Sequence, residues 1–442
     1  MSDILKLPVG WLNIPMQEAI LNVNGARKPV SLKLRAEIQG YYPYYGATGQ
    51  IDSLNDFTHE GEHVLIGEDG ANLLSKTKNL AFIVEGQFWV NNHAHAVKCL
   101  ADMPSKFVAG YVNSLDLTPY VTGSAQPKLT KGNLEKIPFP LPPLAEQKVI
   151  AKKLDKLLSK VDSIKARLDA VPDTLKRFRQ SVLAAAVSGK LTEEWRGNKD
   201  WGVQSDALSS FVKIDVGHAF KSKEFSEEGV PLLRGQNIEP GALKWNETKY
   251  FPEAKLVEHS KLFINEGDII LAMDRPIIST GLKLAIAKKE DLPCVLVQRV
   301  ARFKEFNGLT PTYLYMLLSE LSFMNYIQPN QTGSDIPHIS GKQILNFKVN
   351  VPSIKEQEEL TLRVEQLFAY ADKVEAEVNA TQERVNKLTQ SILAKAFRGE
   401  LTAKWREQNP ELISGENSAE ALLEKIKAER EKLKPTKKRK AK

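Results

Sequence analysis

A chain of 442 residues, 42% apolar and 26% charged, exceeds what one hydrophobic core organises and has the composition of a globular protein with at least two domains. It holds no run of about 18 apolar residues and no apolar block behind Met1–Gly10, and its two cysteines, Cys99 and Cys294, lack metal-ligand spacing; this argues against membrane insertion and secretion and for a reducing cytoplasm, with both thiols in the core. The net charge of +7 sits at one end: Lys432–Lys442 carry seven basic side chains and no acid, the rest balances at 54 against 54, and any DNA-binding face must come from segregated charge and not from excess.

Residues 1–142 contain short β-rich runs between glycine and asparagine turns, among them Glu62–Gly67, Leu80–Val84 and Phe88–Val90, which predicts a mixed α/β domain. Pro142 and Pro143 end the last extended segment, because a residue before proline avoids helical dihedrals, and a helical spacer follows over 143–197. Along it Ile150, Leu154, Leu157, Val161, Ile164, Leu168, Val171, Leu175, Phe178 and Val182 alternate at spacings of four and three, a heptad seam that predicts a coiled coil. Pro172 should interrupt this helix, and Gly189 stands where a left-handed C-terminal cap is expected.

Residues 198–352 form a second mixed α/β domain, with Asp268–Met273 and Val295–Phe303 each read as one strand. Pro352 marks its end, and a second helical spacer covers 353–406 with a seam of Leu360, Val364, Leu367, Ala371, Val374, Val378, Val385, Leu388 and Ile392. Gln382 stands where the first copy has Pro172, so this helix should run unbroken; Gly399 repeats Gly189. Residues 407–442 are a helical and basic tail, whose last part, Lys434–Lys440, is expected to be a disordered end, either merely solvated or loosely attracting phosphate.

The two spacers are one segment written twice. Thr122–Arg196 aligns without a gap on Thr332–Arg406, with 21 of 75 pairs identical, densest from Gln180, Ser181, Leu183 and Ala184 to Thr192, Trp195 and Arg196. The fold class expected is therefore α+β: two mixed α/β domains separated by two long antiparallel helices forming a coiled coil, in a pseudo-two-fold internal repeat. Each helix would extend roughly 60 Å at 1.5 Å per residue. Before Thr122 and Thr332 the two heads barely resemble each other in sequence.

This order of domains resembles the DNA specificity subunit of type I restriction-modification enzymes, in the enteric type IA-like branch. The residues that carry the resemblance are Leu144-Ala145-Glu146-Gln147, Leu175-Lys176-Arg177-Phe178-Arg179-Gln180 and Gly189-Lys190-Leu191-Thr192 in the first copy. In the second they are Lys355-Glu356-Gln357 and Leu393-Ala394-Lys395-Ala396-Phe397-Arg398-Gly399-Glu400-Leu401, followed by Ile413–Ser418 and Ala421–Ile426. The resemblance implies a non-catalytic reader whose two target-recognition domains each bind one half of an asymmetric, bipartite site in double-stranded DNA. It also implies that the helices set the half-site spacing and dock two methyltransferase (modification) subunits, which restriction (endonuclease/translocase) subunits join. Cofactors are then expected only in the partners, which would use S-adenosylmethionine, ATP and Mg.

Candidate DNA contacts follow from that reading. In the first domain Tyr41-Tyr42-Pro43-Tyr44-Tyr45-Gly46-Ala47-Thr48-Gly49 resembles a family pattern in which Tyr41, Tyr42, Tyr44 and Tyr45 approach the backbone and Thr48 donates to a phosphate or base edge; a plain aromatic core hairpin is the other reading. Asn91 and Asn92 are candidates to read adenine, and His93 lies beside them; His93 with His95 lacks a third ligand for a metal. In the second domain Arg234, Gln236 and Asn237 are candidates for base edges, Lys221 and Lys223 for phosphates, and Asp274 and Arg275 for contacts at a strand end. The turns Thr122-Gly123-Ser124 and Thr332-Gly333-Ser334, with Lys128 and His338 beyond them, suit phosphate approach or serve only as turns.

No phosphate-binding loop, dinucleotide fingerprint or Asn-Pro-Pro-aromatic methylation stretch is present, and Glu224, Glu227 and Glu228 read as a solvated acidic surface more readily than as a nuclease centre. The alternative to a DNA reader is a coiled-coil protein-interaction scaffold without specific DNA binding. Where the Arg, Lys, Asn and Gln of both heads lie distinguishes the two: one continuous polar, basic, concave face supports DNA.

Overall fold

A computed structural model of the chain describes residues 7–123, 125–197, 199–330 and 337–433. Its contacts divide it into two units, one of Met1–Asp169 with Ala380–Lys442 and one of Ala170–Asn379. Each unit combines one head with a stretch of both helical spacers. Ser124, Ser334, the second Gly-Ser turn and Lys434–Lys440 lie outside the described residues.

In the first unit four antiparallel strands follow the order Ile20–Asn22, Ala94–Cys99, His63–Gly67, Ala81–Val84. In the second the order is Lys213–Val216, Val300–Lys304, Ile269–Ala272, Leu284–Ile286. A parallel pairing joins Tyr44 and Tyr45 to Trp89 and Val90 in one head, and Leu232 and Leu233 to Val295 and Leu296 in the other. Each head is closed by a two-stranded ladder, Leu12–Pro15 with Pro138–Leu141 and Gln204–Ala207 with Lys348–Val351. The heads, which barely match in sequence, thus share one topology. The inner strands His63–Gly67 and Ile269–Ala272 are buried along their whole length, so each needs a short continuous apolar run and no particular residues, and the pattern survives when identities do not.

The first helical segment is broken. It runs Leu144–Asp169 and resumes at Val171–Val187, because Pro172 has no N–H to give and occupies the first turn of the new helix. The copy with Gln382 is one helix, Ile354–Phe397, and Gln382 Nε2 donates to Asp169 Oδ1 at 2.7 Å. Gly189 and Gly399 adopt φ of 74° and 75°, the left-handed cap that their type favours.

Within each unit the helical stretches pack antiparallel. In the first, Ile150, Leu154 and Val161 share a core with Val385, Ile392, Ala396 and Phe397; in the second, Val182, Leu183 and Ala186 share one with Leu360 and Val364. Leu154, Val161, Leu175 and Val182 are buried, as are Val364, Ala371, Val385 and Ile392; at the alternate positions Ile150 and Leu360 are buried while Ile164 and Leu388 are exposed. Part of the seam thus stays uncovered.

The conserved ends of the two repeats meet crosswise. Glu146, fully buried, accepts from Thr402 Oγ1 (2.6 Å), Arg406 Nη2 (2.9 Å) and Trp11 Nε1 (2.9 Å). In the second unit Glu356 accepts from Thr192 Oγ1 (2.6 Å) and Arg196 Nη1 (2.5 Å), and Trp201 stacks beside that arginine. The Glu of each repeat is therefore held by the Thr and Arg of the other, which is why these residues recur in the duplicated stretch.

The tail helix Ala419–Leu433 belongs to the first unit: Leu422 and Ile426 enter its core, and Arg430 donates to the carbonyls of Glu18 and Ile20. Cys294 is buried and Cys99 partly so, and burial pushes their thiols up to about 12 and about 11. Among the described residues no helix is long and apolar enough to cross a membrane.

Candidate nucleic-acid interface

The second head gathers its polar residues in one open depression of about 380 Å³, lined by Arg234, Gly235, Gln236, Asp274, Arg275, Lys283, Val297, Gln298 and Arg299. Four cations face one carboxylate there, the charge segregation that a neutral body requires for polyanion binding. Arg234 and Gln236 arrive on the 3-10 turn after Val230–Leu233, and both side chains reach toward Glu247, at 3.1 Å and 3.4 Å. Asp274 and Arg275 end the strand Ile269–Ala272, with Arg275 in the left-handed region at φ 43°.

Arg299 also stands in that region, at φ 64°, and its Nη1 meets Asp274 Oδ1 at 3.2 Å. Lys283, nearly buried, points its amine toward Gly235; burial lowers its pKa, nearby Asp274 opposes that and Arg275 adds to it. His338 pairs its backbone with Asp274, at the edge of the same site. Lys221 and Lys223 are exposed but do not line it.

Three residues reasoning from sequence missed here are Lys283, Gln298 and Arg299. The run Val295–Phe303 is two strands, Val295–Leu296 and Val300–Lys304, and the polar pair Gln298-Arg299 sits at the break. Two adjacent polar residues inside an apolar run are the signal that marks such a break.

The first head has the same positions filled differently. Hydrogen bonds fix the correspondence: Glu68 N to His93 O answers Met273 N to Arg299 O; Gly70 N to Pro127 O answers Arg275 N to Pro337 O; Asn91 N to Tyr45 O answers Val297 N to Leu233 O. Asn92 therefore occupies the place of Gln298, His93 that of Arg299, Asp69 that of Asp274 and Lys128 that of His338; Thr48 follows Tyr45 on a hairpin turn where Gln236 follows Leu233 on a 3-10 turn. His93 Nδ1 contacts Asp69 at 2.7 Å, as Arg299 contacts Asp274, and both basic side chains are 49% exposed. Beneath them burial pushes the Glu68 carboxyl up, but Arg27, His95 and Lys128 more than reverse this and hold it below the ordinary range.

Several proposed contacts are reassigned by burial. Tyr44 is 2% exposed, with its hydroxyl accepting from Val30 N at 3.1 Å and its ring edge on Trp89, so the aromatic hairpin of Gln39–Gly46 and Gly49–Leu54 is in part a core element. Asn91 is 4% exposed and its Oδ1 accepts from His93 N, which shapes the turn that presents Asn92 and His93. Asn237 is 2% exposed and its amide is spent on Arg234 N and Lys244 O. Side chains this buried, turned to the backbone of their own loops, do not reach a base edge in this conformation. Tyr42 and Tyr45 are half-buried, packed on Phe57 and on Phe82 and Phe88, whereas Tyr41, Thr48, Asn92 and His93 face solvent. His95 is buried, its ring nitrogens bonded to Asn24 and the Leu129 carbonyl.

Residues 12–173 and 198–383 match the family model of the type I restriction modification DNA specificity domain, one match per head with its helix. The chain is 44% identical over 301 residues to the type I restriction enzyme EcoKI specificity subunit of Escherichia coli K12, covering 66% of this chain and 64% of that one. It is 33% identical over 449 residues to the EcoDI specificity subunit of Escherichia coli, covering 96% of both. In fold it is similar to a chain of a solved type I R-M system (TM-score 0.62, 17% identity, 89% of this chain and 99% of that chain) and to the HsdS subunit from Thermoanaerobacter tengcongensis (0.54, 17%, 90% and 99%). Two matched domains on a duplicated helical frame define a DNA specificity protein. The chain belongs to the type I restriction modification DNA specificity family.

Proposed function

We propose that this chain is the non-catalytic specificity subunit of a type I restriction-modification complex in the cytoplasm, in which each head reads one half of a bipartite, asymmetric target in double-stranded DNA. The observation that carries this reading is the correspondence of the two polar sites: one backbone frame presents Asn92, His93 and Lys128 in one unit and Gln298, Arg299 and His338 in the other. Equal frames with unequal side chains give the same docking geometry and different base preferences.

The exposed part of the helices, with Ile164 and Leu388 on it, is the surface on which two methyltransferase subunits dock, and the helices set the interval between half-sites. Restriction subunits join that core. S-adenosylmethionine, ATP and Mg serve those partners; this chain supplies recognition only. A scaffold that binds proteins alone has no use for a depression in the second head where four cations face one carboxylate.

Footprinting tests the proposal. Assembled with its methyltransferase, the chain should protect two separated DNA segments, and Arg234→Gln with Gln236→Ala should relax sequence preference in one of them only. Protection of one uninterrupted segment, or equal relaxation of both, contradicts it.

A further inference from the structure

We infer that specificity in each half-site is set by the two-residue turn that enters an inner strand of the four-stranded sheet, Asn92-His93 in the first head and Gln298-Arg299 in the second, and that Asp69 and Asp274 are positioning residues for its basic member. This deepens the function proposed above and rests on it. The turn links the strand paired in parallel with Gln39–Gly46 or Val230–Leu233 to the four-stranded antiparallel sheet, and in the second head it shares one depression with Gln236.

Three features separate these residues from ordinary surface polarity. First, Arg299 holds a left-handed φ of 64°, a conformation that residues other than glycine rarely adopt, which turns its side chain out of the strand direction. Second, the basic end of each turn is pinned by a carboxylate from the neighbouring strand, at 2.7 Å for His93 and 3.2 Å for Arg299, although the two heads share neither residue's sequence context. Third, both basic groups stay half in solvent despite that pairing, so their outward edges are available.

The chemistry then assigns roles. Arg299 keeps one face of its planar fork on Asp274 and offers the remaining N–H groups to two acceptors side by side, the pattern of guanine O6 and N7. The Gln298 amide, next to it, matches adenine N6 and N7. In the first head Asn92 offers the adenine pairing, and His93, with Nδ1 committed to Asp69, presents Nε2 alone, a single contact in place of two. The second half-site is therefore read at this point by a bidentate donor and the first by a monodentate one.

The test uses the complete chain assembled with its methyltransferase partner, scored by binding to a library randomised across the target of the unaltered complex. Arg299→Ala should lower discrimination about tenfold or more at one base pair of one half-site, leave the other half-site unchanged and leave thermal stability unchanged. His93→Ala should act on the opposite half-site with a smaller loss. Asp274→Asn should relax the same base pair as Arg299→Ala, whereas a merely structural role would weaken all sequences together.

Uniform weakening by Arg299→Ala with a shallower salt dependence makes Arg299 a phosphate contact and overturns the inference. Unchanged preference in both turn variants also overturns it. If the unaltered complex shows no bipartite preference, the function proposed above fails; if it does and only these variants are silent, the assignment of the turns alone fails.

Discussion

Replacing Glu146 with alanine removes a fully buried carboxylate that accepts hydrogen bonds from Trp11, Thr402 and Arg406. Arg406, 16% exposed, would keep only the Gly399 carbonyl, and its charge would remain in the interior without a counterion. Breaking such a pair by truncating one member costs about 3–5 kcal/mol, most of it the penalty for the stranded partner. In a unit of this size each kcal/mol moves the midpoint by roughly 2–4 °C, so a fall on the order of 10 °C is expected. Because the clasp is confined to the first unit, hydrogen exchange should accelerate in Ala403–Gln408 and Leu12–Pro15 and not in Glu193–Arg196. Glu356→Ala should produce the reverse pattern. The cycle of Glu146→Gln and Arg406→Gln should show coupling above about 1 kcal/mol. A loss below about 1 kcal/mol, or additive single changes, would refute the view that the crossed repeats lock each unit.

Acid should weaken the first unit before the second. Burial holds His59 down to about 4 from 6.5 and also lowers His63 and His95, so the folded state favours their neutral forms; this stability is present above pH 6.5 and is lost as pH falls toward 4. For His59 alone the loss is about 3 kcal/mol, and His59→Gln should flatten the pH dependence of the first unit's unfolding. Gly399→Ala should destabilise the first unit by at least about 1–2 kcal/mol in urea unfolding, since a left-handed residue gains a methyl group that would overlap Pro8. A thiol reagent added to the native chain should leave Cys294 untouched and reach Cys99 slowly, because burial raises both thiols.

The helical frame was legible because its information is periodic. Heptad spacing, the proline at 172, the glycines at 189 and 399 and the duplicated Thr-x-x-Trp-Arg ends each carry a local rule that tertiary packing did not override. The kinship of the heads was not legible, since strand order depends on which edges pair and not on residue identity. Among site residues, Arg234, Gln236, Asp274 and Arg275 converge on one depression as their position at element ends suggests. Asn91, Asn237 and Tyr44 went inward for a reason the sequence conceals: a polar group beside a turn serves the turn's own backbone when it lies on the inner face. Arg299 and Gln298 lie inside a run that reads as apolar overall; their adjacency as two polar residues marks the break that the two strands and the positive φ at Arg299 show.

The most direct measurement of the central claim is the sequence around every methylated position in DNA treated with the assembled methyltransferase complex. The account predicts two unlike specific segments at a constant interval, with changes at Thr48 or Asn92 altering one and changes at Gln236 or Gln298 altering the other. A single unbroken motif, identical half-sites, or methylation without sequence preference would contradict it.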